Sequence, residues 1–166
     1  GILGMDNQRE LIYTRELGDQ IAKEYQMYNY ILPAHLVAFS AFKLLCKMHS
    51  QMDVYSVVQI PEDDFVFPRK AFEFLCDQVR TILFKKSDRC ELIYPMELEG
   101  DIFEIISKGI QTLGVYHIKR VLQIDEFGRL LSQDFLALMF YSNKMANLEL
   151  DEEIDWTAID WNAESF

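Results

Sequence analysis

The run ILPAHLVAFSAFKLLC, Ile31 to Cys46, constrains the fold more than any other part of the chain. Its 16 residues fall short of the roughly 20 that cross a bilayer, and they include Pro33, His35 and Lys43. A helix that is apolar on nearly every side must then be surrounded by other elements of a folded core. Pro33 suits a first helical turn, where its missing N–H is not needed and its φ is already helical, so the helix is expected from Pro33 to about Met48. Ala34, Ala38 and Ala41 make a small-residue line along it, which lets a second helix approach closely.

Other segments supply the apolar faces that would cover this helix. Residues 7–28 place Tyr13, Leu17, Ile21, Tyr25 and Tyr28 at steps of three and four, the period of an amphipathic helix. Asp53 is suited to capping a short helix that ends before Pro61. The acidic, turn-like Pro61-Glu62-Asp63-Asp64 leads to Pro68 and a long helix to about Phe84, with Phe72, Leu75, Val79, Ile82 and Leu83 as its face. Asp101 and Glu104 resemble a capping box, followed by Ile102, Ile105, Ile106, Ile110 and Leu113 before Gly114 ends that helix.

From Val115 to Leu131 the helical period is lost. VLQIDEFGRLL flanks Asp125-Glu126-Phe127-Gly128 with apolar residues, which predicts a small hairpin with Gly128 in its turn. Ser132 is placed to cap the last helix, LALMFYSNKMANLEL. Along that helix Phe135, Leu138, Met139, Ser142 and Met145 fall near one line, and Leu136, Phe140, Asn143 and Asn147 near its neighbour. Ser142 and Asn143 therefore each adjoin an apolar stripe, where an unpaired buried polar group would cost about 1–3 kcal/mol. The expected fold is mainly α: about five amphipathic helices, with a small β-hairpin before the last one compatible with a winged-helix-like end.

Charge divides the chain. Of a net −11, residues 149–166 carry seven acids and no base, which leaves −4 for residues 1–148. The reading is a helical unit over 1–148 and an acidic tail over 149–166, in which Trp156 and Trp161 sit among the charges. The tail either docks its tryptophans or stays solvated. The densest basic clusters, Lys85-Lys86-Ser87-Asp88-Arg89 and Lys119-Arg120, are too small for a phosphate-binding surface, so no nucleic acid partner is expected. No charged leader followed by an apolar stretch is visible. Gly1 ahead of Met5 suggests an excised fragment. Cys46, Cys76 and Cys90 are odd in number and lie in or beside apolar runs, the pattern of buried reduced thiols.

Catalytic patterns are missing. His35, His49 and His117 belong to no ligand pair, and there is no Gly-rich phosphate loop, G-x-S-x-G elbow or CxxC, so no metal and no cofactor is expected. His35 reads as a packed or hydrogen-bonding core histidine, and His49 near Asp53 as ordinary surface polarity. The pairs Asp63-Asp64 and Glu152-Glu153 read as exposed acidic runs rather than acid–base machinery. The residues describe a binding or scaffold unit better than a self-contained enzyme.

ILPAHLVAFSAFKLL, then LLSQDFLALMFYSNKMANLEL about 100 residues later, with GVYHIKRVLQIDEFGRLL between, resembles the C-terminal region of glycerol-3-phosphate acyltransferases of the bacterial and mitochondrial type. The terminal-helix motif of those proteins, L-x-Y-Y-R-N or F-Y-S-N, stands here as Leu138-Met139-Phe140-Tyr141-Ser142-Asn143, with Ser142 in place of the common arginine. The resemblance implies a parent that transfers an acyl group from acyl-CoA or acyl-carrier protein to the sn-1 hydroxyl of glycerol 3-phosphate in phospholipid biosynthesis. It also implies a peripheral or membrane-associated parent on the cytoplasmic side. The family's H-x-x-x-x-D motif is absent, because the sixth position from His35 is Ser40, from His49 Val54 and from His117 Leu122. The implied role is therefore a non-catalytic C-terminal domain, inactive alone, whose partner is the catalytic acyltransferase domain of the same parent. Tyr141, Ser142, Asn143, Trp156 and Trp161 are its expected interdomain contacts. Two other readings stay open: an independent acidic protein-interaction module with a winged-helix-like end, and a small enzyme of unrecognised type.

Overall fold

The protein is described by a computed structural model covering residues 4–5, 11–12, 18–21, 30–51, 56, 66–115, 120–126 and 130–161. It is mainly helical, with a small antiparallel sheet before the last helix.

The apolar run forms α1, Pro33–Met48, with Pro33 in its first turn. Leu36, Val37, Ala38, Ala41, Leu44 and Leu45 are completely shielded and Phe39 nearly so. Each fully buried Leu or Phe contributes about 1.5–3 kcal/mol relative to exposure, so α1 is a large source of hydrophobic stabilisation among the described residues. The small-residue line Ala34, Ala38 and Ala41 is buried, as its composition predicts. Three helices pack on α1: α2, Arg69–Asp88; α3, Ile102–Val115; and α4, Phe135–Ser142.

Helix α2 buries the face expected of it, Phe72, Leu75, Val79, Ile82 and Leu83, and runs four residues past Phe84. It stops in a Schellman motif, in which Cys90 N–H bonds Ser87 C=O at 2.9 Å and Glu91 N–H bonds Lys86 C=O at 3.0 Å. The motif puts Cys90 at φ 59°, a left-handed conformation usually taken by glycine. Helix α3 starts where Asp101 Oδ1 accepts the Phe103 and Glu104 N–H groups at 2.7 and 3.2 Å, and it turns Ile105, Ile106 and Leu113 inward. It includes Gly114 and ends one residue later than expected.

The hairpin forms from β4, Gln123–Ile124, and β5, Leu130–Leu131, in the register Gln123↔Leu131 and Ile124↔Leu130. Gly128 lies outside the described residues. A third strand, β3, Val66–Phe67, adds to the far edge of β5, giving the order β3-β5-β4. Among the described residues the sheet thus joins a strand that precedes α2 to the hairpin that follows α3.

Three expectations need correction. Within the proposed helix 7–28, Leu11–Ile12 is instead a strand, β2, pairing antiparallel with β1, Gly4–Met5; only residues 18–21 are described as helical there. Ile12 is a strand-favouring type, and ladder pairing with Gly4 and Met5 outweighs the helical period there. Ser132 does not cap α4. It is buried and donates to Val121 C=O at 2.8 Å, whereas Asp134 Oδ1 caps the helix by accepting the Ala137 N–H at 2.9 Å. The last helix also tightens after Ser142 into a 3₁₀ segment, Asn143–Leu148. The short helix expected after Asp53 and the turn at residues 61–64 lie outside the described residues, apart from helical Ser56.

The acidic segment from Glu149 is docked as far as Ile159. Glu149, at φ 51°, redirects the chain, and Leu150, Ile154 and Ile159 enter the same core as α1 and α2.

Candidate functional site

The two stripes read along the last helix separate, except that Met139 of the inner one is only half-buried. Phe135, Leu138, Ser142 and Met145 are buried, whereas Leu136, Phe140, Asn143 and Asn147 are exposed. Ser142 belongs to the buried side of a helix that packs on α1, which suits its small size. Asn143 is exposed, so the pair does not act as one contact.

Tyr141 lies between the stripes. Its ring stands 6.3 Å from that of His35 on α1, and Phe140 meets it edge-on at 5.8 Å. His35 in turn holds the start of α1: its Nδ1 accepts the Leu32 N–H at 3.1 Å. This is the reciprocal half of a capping box with imidazole in the usual glutamate's place. Only the neutral ring can accept that bond, and burial, followed by the positive charge of Lys144, pushes the His35 pKa down. The expected core-type histidine is thus half-buried and hydrogen-bonded, and it has no catalytic carboxylate at the sixth position, where Ser40 stands.

These contacts join Phe140 and Tyr141 on α4 to His35 and Leu32 at the start of α1. Leu136 is 57% exposed and Phe140 73% exposed, one turn apart on α4, while Tyr30 and Leu32 are exposed where α1 begins. Large apolar groups gain free energy when covered, so these residues are candidates for a contact surface. It lies within the residues that carry the resemblance.

The docked acidic segment forms a second site. Lys43 pairs with Asp151; Lys86 Nζ meets Glu153 Oε1 at 2.9 Å and Glu91 Oε2 at 3.1 Å; Arg89 reaches Glu153 Oε2 at 2.9 Å. Gln78 reads the backbone at Asp155, donating to its C=O at 3.2 Å and accepting from its N–H at 3.0 Å. Lys47 Nζ lies 5.4 Å from the Trp156 ring centre, within cation–π range. Residues 150–159 are docked, but it is Leu150, Ile154 and Ile159 that anchor them, while Trp156 is only half-buried and Trp161 stays exposed. The sequence shows the acids but not their partners, because Lys43, Lys86 and Arg89 lie far from them along the chain.

A third surface is the groove between α3 and β4, where Ile106, Ile110 and Ile124 meet exposed Phe103, with Arg69, Glu73, Ser107 and Gln111 at its rim. No three or more His, Cys, Asp or Glu side chains converge on a metal-binding geometry among the described residues. No helix among them is long and apolar enough to cross a membrane. Cys76 is buried and its thiol is pushed up to about 12, chiefly by burial; burial likewise raises the half-buried Cys46, so both stay protonated at neutral pH. Cys90 departs from the expectation of buried thiols, being exposed. Ser40 Oγ has no conventional hydrogen-bond partner and is left with the Cys76 thiol, a weak one.

Compared with known proteins, the chain matches no family model, no curated protein and no solved structure.

Proposed function

We propose that this chain is the non-catalytic C-terminal domain of a glycerol-3-phosphate acyltransferase, and that it docks on the catalytic domain of the same parent through the outer face of α4. The observation that carries the reading is the exposure of Leu136 and Phe140 inside the stretch that resembles the family's terminal helix. In this reading the inner face of the motif, Leu138 and Ser142, secures α4 to α1, and the outer face meets the partner. Tyr141 couples the two through His35. Exposed Asn143 lies at the edge of the contact, and Trp161 is available at another edge. The parent would acylate glycerol 3-phosphate at a membrane surface on the cytoplasmic side, with this domain supporting the fold of the catalytic one.

Two measurements test the proposal. The coding frame upstream of Gly1 should contain H-x-x-x-x-D, and a frame without it overturns the assignment. The upstream domain, produced as a separate polypeptide, should co-purify with this chain and lose that association when Leu136→Asp and Phe140→Asp are combined. Unchanged co-purification would remove α4 from the interface.

The groove between α3 and the hairpin favours a second reading, an independent protein-interaction module. It predicts binding that depends on Phe103 and Ile124 and is indifferent to Leu136 and Phe140.

A further inference from the structure

Residues 149–161 contact α1 and α2 as a bound peptide would. The segment contains no strand and no α-helix, only the short 3₁₀ turns Leu150–Glu152 and Trp156–Ala158. Three aliphatic side chains, Leu150, Ile154 and Ile159, go inward, while Asp151 and Glu153 between them meet cations from two different helices. Gln78 fixes the register by binding both the N–H and the C=O of Asp155. Asp155 then holds its own turn, accepting from the Thr157 N–H at 3.0 Å and the Thr157 hydroxyl at 2.6 Å. Lys47 closes over Trp156 at the far end.

We infer that the surface shared by the C-terminal halves of α1 and α2 is a recognition groove for acidic segments with spaced aliphatic anchors, filled in cis by residues 149–161 as a strap that detaches as a unit. The cations of the groove, Lys43, Lys47, Lys86 and Arg89, come from the folded helices, and the acids come from the segment. Glu91, the other acid in the cluster, shares Lys86 and Arg89 with Glu153 and stays with the body when the strap leaves. The more exposed ion pairs, Lys43–Asp151 and Arg89–Glu153, weaken with salt, whereas the packing of α1 against α3 and α4 does not depend on them. The hinge is Glu149, whose left-handed backbone marks the exit from the last helical turn. This inference does not rest on the acyltransferase reading.

Trp156 and Trp161 are the only tryptophans of the chain, so tryptophan emission reports on the strap alone and far-UV circular dichroism on the helices. In denaturant titrations of the intact wild-type chain, emission should move red at a lower concentration than helix is lost. The separation should widen between about 50 mM and about 1 M salt as the ion pairs are screened. Coincident curves at both salt concentrations overturn the proposal. A second arm uses the full chain with Glu153→Lys and Ile154→Asp, which opens the strap, and a fluorescein-labelled synthetic peptide of residues 149–161. The opened chain should bind that peptide, with at least roughly tenfold weaker affinity once Lys43→Glu and Arg89→Glu are added. The wild-type chain should not bind it, because its own strap is present at roughly millimolar effective concentration. Equal binding of a scrambled peptide overturns the inference, as does an opened chain that stays helical without binding or loses its helices altogether.

Discussion

Gly109 of α3 lies directly against Pro33 at the start of α1: a Cβ on Gly109 would stand 2.7 Å from the Pro33 carbonyl oxygen and 2.6 Å from Val37 Cγ2. The two helices cross with the bare Gly109 backbone against the Pro33 carbonyl and the Val37 side chain. Alanine normally improves a helix interior by about 1 kcal/mol over glycine. Here the overlap should reverse the sign, so Gly109→Ala is expected to destabilise by about 1–3 kcal/mol, the usual cost of overpacking. Gly114→Ala on the same helix meets nothing within 4 Å and is expected to stabilise slightly. Thermal melts of the two variants should move in opposite directions.

Cys90 occupies the left-handed position of the α2 Schellman motif, where an L side chain is strained by about 1–2 kcal/mol. Cys90→Gly keeps both backbone bonds and relieves that strain, partly offset by the greater freedom of glycine in the unfolded chain. A gain of about 0.5–1 kcal/mol in chemical denaturation is the expected result. A loss would mean that the exposed thiol makes a stabilising contact.

His35 makes stability pH-dependent on the acid side. Its folded pKa is pushed below the ordinary value of about 6.5, by burial first and then by Lys144, so the unfolded chain takes up the proton first. Its contribution is therefore complete above about pH 6.5 and is lost as the pH falls from there towards the folded value. His35→Gln keeps an acceptor near the Leu32 N–H without titrating, and its midpoint of thermal unfolding should vary less across pH 5–7 than that of the wild type. Parallel curves would remove His35 from the effect.

Lys86 is 7% exposed and is held charged by Glu153 and Glu91. Burial pushes its pKa down, but the two carboxylates outweigh this and the net shift is upward. Lys86, followed by Arg89, holds the Glu153 carboxyl below its ordinary range despite opposing burial. By linkage the Glu153 contribution is complete above about pH 4.5 and lost as pH falls through its lowered folded value; that of Lys86 is complete below about pH 10.5 and lost as pH rises through its raised one. Glu153→Gln at neutral pH should cost about 1–3 kcal/mol, less than the 3–5 typical of a broken buried pair because Glu91 remains. Urea unfolding gives the figure directly, and a change below about 0.5 kcal/mol would place the pair with ordinary surface contacts.

The two stripes of α4 should respond oppositely to substitution. Leu138→Ala empties a fully buried site and is expected to cost about 2–5 kcal/mol. Leu136→Asp or Phe140→Asp should change stability by less than about 0.5 kcal/mol, as solvent-facing positions do. Denaturation midpoints of the three variants check the division, and it must hold for the association test on α4 to be interpretable.

Helices whose apolar faces are continuous are legible in short windows of the chain. α1, α2 and α3 begin within a residue or so of their expected starts because Pro33, Pro68 and Asp101 act on their own first turns. Ser142 and Asn143 could be assigned to different stripes because the helical period is a local property. What only the tertiary structure decided involves partners distant along the chain. Val66 pairs with Leu131, and a two-residue strand beside a proline has no period of its own to announce it. Leu11 was given to a helix by the spacing of its neighbours and taken by a ladder with Met5. Ser132 had the right composition for a cap and was drawn instead to a buried carbonyl 11 residues back. The acidic segment read as a tail because its charges lie close together in sequence while the cations that neutralise them, Lys43, Lys86 and Arg89, lie far away. Local steric and hydrogen-bonding preferences are written in short windows of sequence, but pairing across tens of residues depends on which surfaces the packed helices bring together.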